Sequence, residues 1–245
     1  MLPWIIGFSI LGSFGAIAGA ALFLFFPDGV RKILLPYLIS YATGTLLGAA
    51  FLGMIPAGLE RAPANPLMAT VLAGLVMFFV LEKLVIWRHS HNAGSGCQGS
   101  AAPLILIGDA FHNFVDGVVI AAAFLNSVPL GMTAALAVIA HEVPQEVGDF
   151  AILLDNGYSR SRALLLNGLS SSTTLPGALM AYFWLGETRE AVPYILAVSA
   201  ASFIYIAVAD LIPALNRQIT LVASVWQFVM LMTGIGTIAF LHLGA

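Results

Sequence analysis

Eight apolar stretches, at about 4–26, 33–59, 66–87, 103–125, 129–154, 163–185, 191–215 and 219–242, follow one another along the 245 residues with only short punctuation between them. A helix needs about 20 apolar residues to cross a hydrocarbon core roughly 30 Å thick. In lipid its backbone N–H and C=O groups must also be paired internally. The runs lack the strict alternation of barrel strands, so the expected fold is all-α, with eight transmembrane helices in one domain over 1–245. Only 9% of the residues are charged and 60% are hydrophobic, against about 25% charged in a soluble domain. That excludes a soluble enzyme, a nucleic-acid binder and a disordered scaffold.

Orientation follows from nine basic residues. Arg31, Lys32, Lys83, Arg88, Arg160, Arg162 and Arg217 fall at the connections after spans one, three, five and seven, and only Arg61 and Arg189 fall at the other face. Basic residues concentrate on the cytoplasmic side, which places those four connections inside, the loop 88–102 among them, and both termini outside. Met1 to Trp4 carry no basic region and Ile5–Phe26 is long enough to span, so the first stretch is expected to be a helix and not a cleaved signal. The short third connection points to a bacterial inner membrane. The single Cys97 rules out an internal disulfide framework or a multi-cysteine metal site. Met54-Ile55-Pro56-Ala57-Gly58-Leu59 in the second span and Leu211-Ile212-Pro213-Ala214-Leu215 in the seventh lie on helices of opposite direction. An inverted repeat of helices 1–3 in 6–8, around helices 4 and 5, would give such an echo.

Charges inside the spans are all of one sign. Asp109, Asp116, Glu142, Glu146, Asp149 and Asp210 lie within apolar stretches, whereas Lys83 is near a span end and can snorkel. Each intramembrane carboxylate costs about 2.5–3.5 kcal/mol on insertion scales, so protons or metal ions must compensate. At about 100° per residue, Asp109, His112 and Asp116 share a face of the fourth helix with Asn113 at its flank. On the fifth, His141, Gln145 and Asp149 form one stripe and Glu142 and Glu146 a second. Two facing helices of this kind can wrap one or two divalent cations in mixed nitrogen and oxygen ligands, suited to zinc, iron, manganese, cobalt, nickel or cadmium. Asp109, Glu146, Asp149 and Asp210 are expected to form an inner relay below this site. Glu60, Met54 and Asn126 are the sparse candidates on the outer side. Pro144 interrupts the fifth helix, where a polar cavity could satisfy the freed Ala140 carbonyl.

His112-Asn113-Phe114-Val115-Asp116-Gly117 and His141-Glu142-Val143-Pro144-Gln145-Glu146-Val147-Gly148-Asp149 together resemble the paired signatures of ZIP (Zrt/Irt-like) metal transporters, closest to the subgroup whose fifth helix reads H-E-x-P-H-E-x-G-D. Tyr205 to Pro213 is similar to that subgroup as well. The resemblance implies uptake of zinc, and sometimes iron, manganese or cadmium, into the cytoplasm by a homodimer that moves a transport bundle against a scaffold. It implies a paired-metal centre, with His112, Asp116, His141 and Gln145 at one site, Asn113 and Glu142 at its neighbour, and Asp116 as a bridge. No enzymatic activity and no resident cofactor are expected, only divalent metal and lipid as partners.

Departures from the family pattern are specific. Gln145 stands where the subgroup has histidine, which should lower affinity or shift metal preference. Ala57 and Ala214 follow prolines where an acid is often found. The third connection offers only His89, His91 and Cys97 in place of a histidine tract. An intramembrane metalloprotease is the rival suggested by His141-Glu142-x-x-Gln145, yet the second histidine of H-E-x-x-H is missing and Pro144 interrupts the helix. A proton-coupled organic carrier would leave two converging histidines unexplained. Metal binding needs neutral imidazole, so uptake should fall below about pH 6.5 unless proton coupling reverses the trend.

Overall fold

The structure is a computed structural model, and it describes residues 1–92, 101–216 and 220–243. Its described residues form helices and short connections without strands. We label α1 (Leu2–Leu24), α2 (Gly29–Leu59), α3 (Ala64–Asn92), α4 (Ala101–Asn126), α5 (Val128–Asp155), α6 (Arg160–Ser171), α7 (Thr174–Glu187), α8 (Arg189–Leu215) and α9 (Leu221–Leu243). Among the described residues six helices are long and apolar enough to cross a membrane, contributed by α1, α2, α3, α4, α8 and α9. Glu142, Glu146 and Asp149 interrupt the apolar length of α5, and α6 and α7 divide one expected span between them. The chain is a multi-pass integral membrane protein.

Two boundaries differ from the expectation. α3 continues to Asn92, past the span end at 87. His89 and His91 fall on its final turns, but their side chains, together with Cys97 and the rest of 93–100, lie outside the described residues. The stretch 163–185 is broken between Ser171 and Thr174. Pro176 has no N–H to return to the Ser172 carbonyl. The hydroxyls around the break bind nearby backbone instead: Thr173 Oγ1 donates to the carbonyls of Ala110 (2.5 Å) and Ser170 (2.7 Å), and Ser172 Oγ to that of Leu169 (2.6 Å). Such local bonds compete with the helical ladder.

Prolines also account for two wide turns. Ala49–Met54 in α2 and Ile206–Leu211 in α8 are π-helical, and Pro56 and Pro213 follow them. A proline in register would clash with the carbonyl four residues back, and the wider turn relieves that contact. The echo between these helices is therefore conformational as well as sequential. Packing extends it, for α2 pairs with α9 as α8 pairs with α3, and α1 packs on α5 as α7 packs on α4. Exchanging α1 with α7, α2 with α8, α3 with α9 and α4 with α5 maps each pair onto another.

The centre of the bundle is the antiparallel hairpin of α4 and α5. Ser127 separates them, its Oγ accepting from the Leu130 N–H (3.3 Å) as the N-cap of α5. At its other end α5 closes with Gly157 at φ 83°, where the Tyr158 N–H reaches the Leu153 carbonyl (3.1 Å) and the Gly157 N–H that of Leu154 (2.9 Å). Fully buried alanines 121–123, 134, 135 and 137 let the two helices approach closely. α7 comes closer still to α4. A Cβ on Gly117 would enter the Thr174 carbonyl and one on Gly177 that of Phe114, so backbone rests on backbone one residue beyond Asp116. Gly177→Ala and Gly117→Ala should each destabilise the bundle by at least about 1–3 kcal/mol, the range for overpacked cores. Thermal unfolding of the purified chain, where each variant should melt below wild type, checks this.

Candidate metal centre

Four ligand atoms from α4 and α5 converge. His112 and Asp116 lie one turn apart on α4, and His141 and Glu142 are adjacent on α5. The two imidazole Nε2 atoms are 3.1 Å apart. Asp116 Oδ2 stands 3.6 Å from His112 Nε2 and 3.3 Å from His141 Nε2, and Glu142 Oε1 stands 3.2 and 3.6 Å from the same two atoms. All four side chains can place a ligand atom within 4.8 Å of every other. A tetrahedral ion with bonds of about 2.0–2.1 Å sets its ligands about 3.3–3.4 Å apart, close to the five measured separations. The set of two imidazoles and two carboxylates suits zinc and neighbouring divalent metals and contains no thiolate for copper(I).

Surroundings orient these atoms. His141 Nδ1 lies 2.9 Å from the Ala137 carbonyl, so the Nδ1–H is donated there and the Nε2 lone pair faces the centre. The Phe203 ring lies edge-on to His141 at 6.0 Å and dries that side. Asp116 and Glu142 are fully buried, and among the described residues no hydrogen-bond donor meets either carboxylate. His112 is the most exposed of the four, at 20%.

A second group contains Asp109, Glu142 and Glu146, also able to bring oxygens within 4.8 Å of one another. Here each outer carboxylate has one oxygen engaged and one without a partner. Asp109 Oδ1 accepts from the amides of Asn113 (3.0 Å) and Gln145 (3.1 Å), and Oδ2 accepts from none. Glu146 Oε1 accepts from the Ser171 hydroxyl, and its Oε2 is unpartnered. The structure thus sets Asn113 and Gln145 on Asp109 and not among the four converging atoms. A neutral amide with a carboxylate in reach donates its N–H there. Thr174 Oγ1 donates in turn to Asn113 Oδ1 at 3.1 Å.

A cavity of about 520 Å³ reaches this region from one end of the bundle. His112, His141 and Gln145 stand at its depth, and Asp109, Asp149 and Asp210 along its wall, with Pro144 beside them. Three of the four expected relay residues therefore share one path. Glu146 does not line it; it is turned toward α6, where Ser171 and the Asn167 amide (3.4 Å to the Glu146 carbonyl) face it. α5 runs as α-helix through Pro144. Of the outer-side candidates, Met54 is fully buried, Glu60 is exposed, and the Asn126 carbonyl accepts from Arg61 at 3.3 Å.

Sequence reasoning overlooked Glu82, a seventh carboxylate within a span. It is half-buried on α3 and accepts a hydrogen bond from Tyr205 of α8. Lys83, lying 5.5 Å over the Phe79 ring, gives that stretch the look of an ordinary helix end. Within the hydroxyl run Ser170–Thr174, Ser171 and Thr174 are donors to Glu146 and Asn113. A polar run facing buried carboxylates was the available signal.

Comparison with known proteins gives the family. The model of the ZIP zinc transporter family matches residues 89–242. Mouse zinc transporter ZIP4 is 48% identical over 113 residues, covering 46% of this chain and 17% of that protein. Zinc transporter ZIP13 of Pongo abelii is 32% identical over 219 residues, 82% of this chain and 65% of that one. Zinc transporter foi of Drosophila melanogaster is 37% identical over 119 residues, 49% of this chain and 17% of that one. The match thus spans under a fifth of ZIP4 and foi and about two thirds of ZIP13.

The two kinds of contact predict different losses. His141→Ala should weaken zinc binding to the purified chain by about 100-fold or more, beyond the 10–100-fold typical of an outer-shell partner. Gln145→Ala, which loosens only Asp109, should cost about tenfold. Titration calorimetry with zinc checks both, and equal losses would place Gln145 among the ligands.

Proposed function

Because the chain belongs to the ZIP zinc transporter family, we propose that it carries divalent metal across the membrane, zinc first, into the cytoplasm. The observation that carries this reading is the set of four donor atoms of His112, Asp116, His141 and Glu142, five of whose separations lie between 3.1 and 3.6 Å. A zinc ion there exchanges its waters for two imidazoles and two carboxylates. It leaves past His112, the most open of the four, along the cavity wall of Asp109, Asp149 and Asp210. Asp109 near the start of α4 and Asp149 and Ile152 near the end of α5 line the cavity, and in the sequence the connections after spans one, three, five and seven, on that side, hold seven of the nine basic residues, so we read the open side as the cytoplasmic one. Asn113 and Gln145 act on the centre through Asp109. Cadmium, iron and manganese suit the same mixed ligands. The short connection between α3 and α4 favours a bacterial plasma membrane as its location.

The protease reading is weaker. It requires the side chain after His141 to serve as a base, whereas Glu142 Oε1 points at both imidazoles, and Gln145 is engaged on Asp109.

Flux of zinc, cadmium, iron and manganese into proteoliposomes tests the proposal. Wild type should move zinc. His112→Ala should lower that flux by at least about tenfold, as loss of a ligand must exceed loss of a supporting group. Gln145→His should retain flux and tighten binding. Transport unchanged in His112→Ala would overturn the site, and no flux of any of the four metals would overturn the function.

A further inference from the structure

Away from the metal centre, two arginines face an apolar cavity of about 240 Å³. It lies where the end of α1, the start of α2, the end of α5 and the start of α6 meet. Leu24, Phe25, Phe150 and Leu164 provide apolar walls, and Arg31 and Arg160 are its charged groups. No acidic side chain is among the described residues that line it. Phe25 is 86% exposed and Leu164 37%, so the cavity opens sideways, toward the level where a bilayer's headgroups meet its chains. Arg160 is exposed, whereas Arg31 is half-buried and keeps an interaction within the protein.

The chemistry is that of an anionic amphiphile. A guanidinium presents a planar fork of donors that fits phosphate oxygens, and basic pockets between transmembrane helices on the cytoplasmic side accept acidic headgroups. The volume falls below the roughly 300–1,000 Å³ of pockets that enclose a small molecule. It suits a headgroup phosphate and the first carbons of a chain, with the remainder running out along Phe25 into lipid. We propose that this cavity binds an anionic phospholipid, its phosphate on Arg31 and Arg160 and the start of its acyl chain against Leu24, Phe25, Phe150 and Leu164. Phe150 follows Asp149 on α5, so the bound lipid braces the end of the helix that lines the metal cavity. Binding here does not depend on the metal reading.

Native mass spectrometry of the purified full chain, offered phosphatidylglycerol and phosphatidylcholine at equal concentration, tests the site. Phosphatidylglycerol should be retained several-fold over phosphatidylcholine, and should raise the melting temperature more. Arg160→Gln, at an exposed position with little folding role, should reduce that preference several-fold, and Arg31→Gln with Arg160→Gln should abolish it. Arg162→Gln, whose guanidinium lies over the Tyr158 ring (5.0 Å) and not in the cavity, should leave the preference intact. Equal retention of the two lipids overturns the proposal, as does a preference unchanged in Arg160→Gln. Stabilisation by inorganic phosphate equal to that by phosphatidylglycerol would assign the site to a free anion and overturn the lipid assignment.

Discussion

Asp116 and Glu142 are fully buried between two helices, with imidazole nitrogens 3.2–3.6 Å from their oxygens. A buried carboxylate without a partner costs several kcal/mol even after relaxation, and two of them so close repel each other. α4 and α5 can hold both only if something positive is shared between them, and two inward Nε2 atoms make a divalent ion the fitting compensation. The surrounding packing serves that constraint. Alanines along the hairpin bring the two helices together, and Gly117 and Gly177 let α7 press on α4 beside Asp116. The Ala137 carbonyl fixes the His141 ring. The centre is held by backbone-level contacts because side chains able to hold it would also fill it.

Release demands the opposite property. The inner oxygen group shares Glu142 with the four-atom centre, but lacks imidazole. Its outer members are partly engaged already, Asp109 by two amides and Glu146 by a hydroxyl. A borderline-soft ion such as zinc is therefore held less well there than among nitrogens. On the proposed route, moving from the four-atom centre to the cavity wall of Asp109, Asp149 and Asp210 trades imidazole for carboxylate and water. Gln145 sharpens this step, because an amide that donates to Asp109 adds no further strong ligand at the mouth of the site.

Much of this was legible in the sequence because bilayer physics leaves few solutions. Apolar length fixed the helices, and the placement of carboxylates and histidines on α4 and α5 named all four converging residues. What the sequence could not give was which neighbour each polar side chain chooses. Helical spacing put Gln145 on the stripe of His141 and Asn113 beside His112, yet both amides turn to Asp109, one across to α4 and one back along it. Glu146 and Asp109 look equivalent as intramembrane acids, and only the position of α6 decides that one faces Ser171 and the other a cavity. The break after Ser171 was hidden because a run of hydroxyls and a proline five positions beyond Ser171 remain compatible with an apolar span of average length.

The two proline-linked π segments add a constraint on how such a centre can be reached from both sides. Ile206, Asp210 and Leu211 of the α8 segment line the open cavity. The corresponding segment of α2 is closed: Ala49, Ala50, Gly53 and Met54 are buried, and a Cβ on Gly53 would stand 3.0 Å from Leu130 of α5. The same backbone device is thus exposed to a cavity on one side of the metal centre and sealed by packing on the other. The paired packing of α2 with α9 and of α8 with α3 is what an inverted repeat requires, and such a repeat would make these two environments interchangeable. The α2 segment carries Gly53 and Met54 where the α8 segment ends in Asp210 and Leu211, so the two segments are alike in shape and unlike in charge. The α2 segment offers no acidic side chain, and the α8 side offers Asp109, Asp149 and Asp210 along the cavity. On the proposed route that asymmetry would favour movement toward the open face, and it resides in side chains laid on two helices of like backbone shape.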